Sequence, residues 1–186
     1  MRHFIFIAII LSLTGCSNHT STIQHYLLSS PNDIQSVDLT QSKTLRLTRL
    51  TIPEYLKQNG LPLMLESNQI QLSKTHLWAE SFDTSLTKYM QHAFSSEYVL
   101  ATEGGFNDDQ YSLSIDILHL VATSKGDVII SANYQINNGS RLLSRQAYSK
   151  SYSLSEDGYA HTINVYRRAI NDMVNHIKTK LTAIEK

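Results

Sequence analysis

The chain has 186 residues, 16 Lys+Arg against 16 Asp+Glu, and a formal net charge of zero. That balance excludes the basic field that nucleic-acid binding requires. A single cysteine excludes an intrachain disulfide and a multi-thiolate metal site. Only 17% of residues are charged, while Tyr, Ser, Thr, Asn and Gln are plentiful. A neutral, tyrosine-rich surface suits docking to proteins, although aromatics also favour sheets for their own sake.

Arg2 and His3 open the chain with a short positive segment, and Phe4 to Leu13 form an apolar run. That run is about ten residues long, the size of a signal h-region and well short of the ~20 needed to span a bilayer. It stops sharply at Leu13-Thr14-Gly15-Cys16. Small Gly15 leaves the backbone open to a peptidase, and Leu13 suits an apolar subsite. The tetrapeptide resembles the lipobox of bacterial lipoproteins, in which cleavage precedes a diacylated cysteine. The resemblance implies removal of residues 1–15, lipidation at Cys16, a tether over 16–22 and one domain over 23–186. Each buried methylene of an acyl chain contributes about 0.8 kcal/mol, so two or more chains anchor stably without spanning. Ser17, rather than Asp, follows the cysteine. By the convention of Gram-negative lipoproteins this implies the periplasmic face of the outer membrane.

Within the domain, Gln24 to Ser29 reads as a first strand, 31–40 as a loop and Thr44 to Leu50 as a second strand. The alternation there places Leu45, Leu47 and Arg49 on one face. Pro53 suits the first position of a short helical turn over Glu54-Tyr55-Leu56. Leu63–Glu66 and Gln69–Leu72 read as strands about a Ser67-Asn68 turn. From about Glu80 to Glu97, Phe82, Leu86, Tyr89, Met90, Ala93 and Phe94 recur at helical spacing. Tyr98-Val99-Leu100 is a short strand, and 102–109 a loop. Residues 110–154 then read as a three-strand antiparallel meander, with Asn138-Gly139 as a hairpin signal. Asp157 is the expected cap of a last helix. The apolar stripe of that helix is Ile163, Tyr166, Ile170, Met173, Ile177, Leu181 and Ile184. The fold class is α+β: a mainly antiparallel sheet packed by two amphipathic helices, as a two-layer sandwich.

Motifs of catalysis are missing from the sequence: there is no G-x-S-x-G, H-E-x-x-H, P-loop or G-x-G-x-x-G. His76, His92, His119, His161 and His176 are scattered without i, i+4 pairing, so no metal site is expected. His119 falls in phase with an apolar strand face and reads as a core histidine. Glu103, Asp108 and Asp109 beside Gly104-Gly105 could serve acid–base work, but no nucleophile or oxyanion device accompanies them.

Several segments in register resemble the ABC-type transport auxiliary lipoprotein family. They are the lipobox, Tyr26-Leu27-Leu28, Ile52-Pro53-Glu54-Tyr55-Leu56, Leu77-Trp78-Ala79-Glu80 at the start of the first helix, the strand from Tyr111 to Leu120, and the last helix. Ser81 stands where the family often has Pro, and Lys57-Gln58-Asn59 where it often has an Asp-Arg-Pro-like turn. The resemblance implies a non-enzymatic outer-membrane lipoprotein without a cofactor. Its implied partner is a periplasm-spanning MCE-domain protein, in a system that moves lipid between membranes and supports envelope integrity. Tyr55 and Trp78 are candidate docking residues, with a core anchor the competing role for Trp78. A ring of copies would suit the mouth of a conduit. Two alternatives differ in class: a carrier holding lipid in its own apolar cavity, and a lipid-anchored hydrolase using the Glu103–Asp109 loop.

Overall fold

A computed structural model describes residues 22–29, 43–102 and 110–185. Eight strands form one sheet: β1 (Gln24–Tyr26), β2 (Lys43–Thr51), β3 (Gly60–Met64), β4 (Ile70–Trp78), β5 (Tyr98–Ala101), β6 (Tyr111–Thr123), β7 (Asp127–Asn138) and β8 (Arg141–Ser153). Two helices, α1 (Phe82–Phe94) and α2 (Tyr159–Ile184), pack on it. The α+β sandwich is therefore the observed architecture. A 3-10 turn over Glu54–Lys57 follows Pro53, which sits at its N-cap.

The central element is β6. On one side it pairs antiparallel with β7, and β7 with β8, as the meander pattern predicts. Its other side is shared. β2 runs parallel to Ser112–Asp116, and β3 runs parallel to Ala122–Thr123. β5 extends the sheet beyond β2, and β4 and β1 extend it beyond β3. The long ladders are antiparallel, yet four of the seven pairings are parallel. Gly60 lets β3 and β4 close: a Cβ there would lie 2.3 Å from the Ser73 carbonyl oxygen, a separation no side chain tolerates.

The core lies between this sheet and the helices. Leu113, Ile115, Tyr134, Ile136, Val128 and Ile130 of the sheet meet Ile170, Met173, Ile177 and Leu181 of α2, all at most 1% exposed. The 3.6-residue period of α2 makes that stripe, as its sequence requires. Two phase shifts were not visible in the sequence. A bulge between Ile117 and His119 turns His119 out to solvent, so it is not a core histidine. A second irregularity between Leu47 and Arg49 exposes Arg49, and Leu50 instead packs against the core.

Helix boundaries differ too. Asp157 does not cap α2. Gly158, at φ 112°, occupies the N-cap, and no side chain bonds there. Trp78 closes β4 and does not open α1, whose N-cap is Ser81. The Ser67-Asn68 turn is a 3-10 turn over Glu66–Asn68, with Asn68 at φ 62°, a conformation Asn tolerates.

Candidate functional site

The N-terminal end of the domain is held by α2. Arg167 donates from Nε to the Leu28 carbonyl at 2.6 Å and from Nη2 to the Leu27 carbonyl at 3.3 Å. Its Nη1 donates to Asn164 Oδ1 at 2.9 Å. Beside it, Tyr26 donates its hydroxyl proton to Gln24 Oε1 at 2.5 Å and bonds His76 Nδ1 at 3.0 Å. The His76 ring stacks on Tyr159, with centroids 4.0 Å apart. Strand β1 is only three residues long, so these contacts, more than its ladder, fix where the chain enters the domain. Cys16 lies outside the described residues, as does the loop carrying Glu103, Asp108 and Asp109.

The two candidate docking side chains take structural positions. Trp78 is 6% exposed, with its ring 4.9 Å from Phe82 and 6.4 Å from Tyr166 between centroids. Its Nε1 is buried and has no hydrogen-bond partner among the described residues. Tyr55 is half-buried, and its hydroxyl accepts the Leu120 N–H at 3.2 Å. Buried Tyr166 accepts the Ala122 N–H at 3.0 Å. Burial raises the pKa of both phenols. Leu120 and Ala122 are two apart, so their N–H groups leave the same edge of β6. This is the edge where β2 has ended and β3 only begins. The two tyrosines thus satisfy donors that the split edge would otherwise leave unmade. Tyr166 was legible only as part of a helical stripe. Its hydroxyl partner depends on a strand 44 residues away.

Two concavities are notable. An apolar groove of about 270 Å³ lies at the head of α2, between Leu61, Leu63, Ala122, Leu154, Tyr159 and Tyr166. A larger trough of about 590 Å³ crosses the outer face of β2, β6, β7 and β8. Register defines its two rows. One runs Arg49–Ser114–Gln135–Arg145, and the next runs Thr51–Asp116–Asn133–Ala147. Short Ser114 sits between long Arg49 and Arg145, which stand at the two ends of the first row. Asp116 accepts a hydrogen bond from the Thr51 hydroxyl. Neither Arg49 nor Arg145 has an ion-pair or hydrogen-bond partner among the described residues. Sequence reading missed this trough, because the irregularity at Thr48 is what sets Arg49 in line with Ser114.

Among the described residues, no group of three or more His, Cys, Asp or Glu side chains could hold a metal ion. No described helix is long and apolar enough to cross a membrane.

A family model described as the ABC-type transport auxiliary lipoprotein component matches residues 26–178. The chain is 23% identical over 159 residues to the intermembrane transport lipoprotein PqiC of Escherichia coli (strain K12), and to that of Shigella flexneri. Each alignment covers 83% of this chain and 84% of the relative. Two crystal structures share the fold. An uncharacterized protein superposes with a TM-score of 0.67 at 18% identity, covering 86% of this chain and 99% of that one. A Xanthomonas campestris protein gives 0.61 at 13%, covering 84% and 90%.

Proposed function

The chain belongs to the ABC-type transport auxiliary lipoprotein family, and from that premise we propose that it is an accessory lipoprotein of an intermembrane lipid-transport system. Acylated Cys16 holds it at the periplasmic face of the outer membrane. The folded domain docks to a periplasm-spanning MCE-domain protein and receives the far end of that conduit, which supports envelope integrity. Its role is not catalytic. The observation that carries this reading is the continuity of the family match over 26–178 with a lipobox ten residues before it.

The packing favours docking over carrying. A carrier for a two-chain lipid needs an apolar chamber between sheet and helices. That layer is filled by side chains such as Leu113, Ile136, Ile170 and Met173, each fully buried. The apolar groove at the head of α2, about 270 Å³, falls below the ~300–1,000 Å³ of pockets that enclose a drug-sized ligand.

The membrane half is tested by labelling cells with a palmitate analogue. The wild-type chain should take up label and sediment with outer membranes, and Cys16→Ser should do neither. Label on the Cys16→Ser chain would end the anchoring claim. The docking half is tested by affinity capture from gently solubilised membranes. An MCE-domain protein should co-purify with the wild-type chain, and its consistent absence would refute the partner.

A further inference from the structure

We propose that the trough across β2, β6, β7 and β8 is the seat of an extended, acidic segment of a protein partner. The proposal rests on the docking reading above and gives that docking a place and a chemistry.

Charge is the first argument. In a chain of zero net charge, the trough has at each end a guanidinium without an ion-pair or hydrogen-bond partner among the described residues, Arg49 and Arg145. Asp116, the one carboxylate among the described residues lining it, is engaged by Thr51. Several lysines elsewhere find local acids: Lys88 meets Glu80 at 2.7 Å, and Lys150 meets Asp172 at 2.7 Å. Arginine forks bind carboxylates two-pronged, so this surface is complementary to carboxylate groups.

Geometry makes the ligand extended. Arg49 and Arg145 are three strand spacings apart through Ser114 and Gln135. At about 4.8 Å per strand their backbones are about 14 Å apart. Two acids four positions apart on one face of an extended strand are about 13 Å apart. One such strand therefore presents a carboxylate to each arginine.

The floor makes the ligand a peptide. Asn133 and Gln135 line it, and each side-chain amide offers both donors and an acceptor. That matches the alternating N–H and C=O groups of an extended backbone. Tyr134 contributes no ring on which a sugar could stack, because its side chain is 0% exposed on the opposite face. A membrane surface fits less well. Two cations in a concavity fall short of the clusters of roughly four to eight that bind anionic lipid.

The test titrates the full-length protein, in detergent micelles, into a fluorescein-labelled nonapeptide of serine and threonine with glutamates at its third and seventh positions. Anisotropy reports binding. Arg49→Glu and Arg145→Glu should each weaken it about tenfold, and adding salt should weaken the wild type. Paired Arg49→Lys and Arg145→Lys substitutions should retain part of the affinity. Lys125→Glu, the same charge change in the exposed β6–β7 turn, should leave it unaltered. Equal binding of the glutamine version of the peptide, or equal loss in Lys125→Glu, would overturn the proposal. So would displacement by inorganic phosphate or by phosphatidylglycerol mixed micelles that exceeds displacement by unlabelled peptide. In affinity capture, the doubly reversed chain should lose the partner that the wild type recovers. Undiminished recovery would overturn the trough and leave the docking reading standing. A wild type that recovers no partner yet binds the peptide would count against the docking reading alone.

Discussion

The phenolic oxygen of Tyr55 lies 3.2 Å from the amide nitrogen of Leu120, 65 positions further along the chain. A side chain from a 3-10 turn thereby completes the hydrogen bonding of the central strand. The gap exists because two parallel strands, β2 and β3, divide one edge of β6 between them. Tyr166 repeats the device one step along, at Ala122. The site where the two halves of the sheet meet is thus closed by phenols, not by backbone.

Replacing either phenol by phenylalanine keeps the ring and removes the acceptor. Tyr166→Phe should cost about 1–3 kcal/mol, the penalty of a buried donor left unmade. Tyr55→Phe should cost less, because Tyr55 is only half-buried. Urea unfolding of the two variants checks both the size and the order.

Trp78 fills space between Phe82 and Tyr166. Trp78→Ala should destabilise by about 3–5 kcal/mol, and any loss of partner binding should follow that loss of folded protein. Trp78→Phe should recover much of the stability, because the buried Nε1 has no hydrogen-bond partner among the described residues to lose. Thermal melts followed by circular dichroism give the comparison.

Arg167 pins the backbone of Leu27 and Leu28, just after strand β1. Arg167→Ala removes charged donors to the Leu27 and Leu28 carbonyls and should cost about 1.5–3 kcal/mol. Local hydrogen exchange should rise first in residues 24–28, while the β6–β7–β8 meander keeps its protection. Uniform acceleration across the sheet would assign Arg167 a global role instead.

Alkali should unfold the protein in a defined direction. Burial and then the Glu185 carboxylate push Tyr98 up to about 12, and Tyr55, Tyr152 and Tyr166 are raised as well. A raised phenol binds its proton more tightly in the folded state. Its contribution is complete below the ordinary tyrosine value of about 10 and is lost as pH rises through the folded value. Denaturation midpoints should hold up to about pH 10 and fall beyond it. Tyr98→Phe should make that fall shallower.

Much of the fold was legible because periodicity is a local property. The stripe from Ile163 to Leu181 could only be a buried helix face, and Asn138-Gly139 between alternating runs could only join a hairpin. Errors came where one residue changed the phase. His119 sits one step past a bulge, and Arg49 one step past another irregularity; a strand's face assignment reverses with a single extra residue. Asp157 carried the right chemistry for a cap, but the chain turns at Gly158, whose φ of 112° only glycine adopts easily.

The sequence by itself determined the family, the two amphipathic helices and the antiparallel meander. Each is written in residue identity and spacing over a few turns or strands. Tertiary structure alone decided the four parallel pairings, the tyrosines that seal β6, and the row from Arg49 to Arg145. Those depend on which strand lies beside which, and strands far apart in the chain choose their neighbours by long-range packing that no local window of sequence contains.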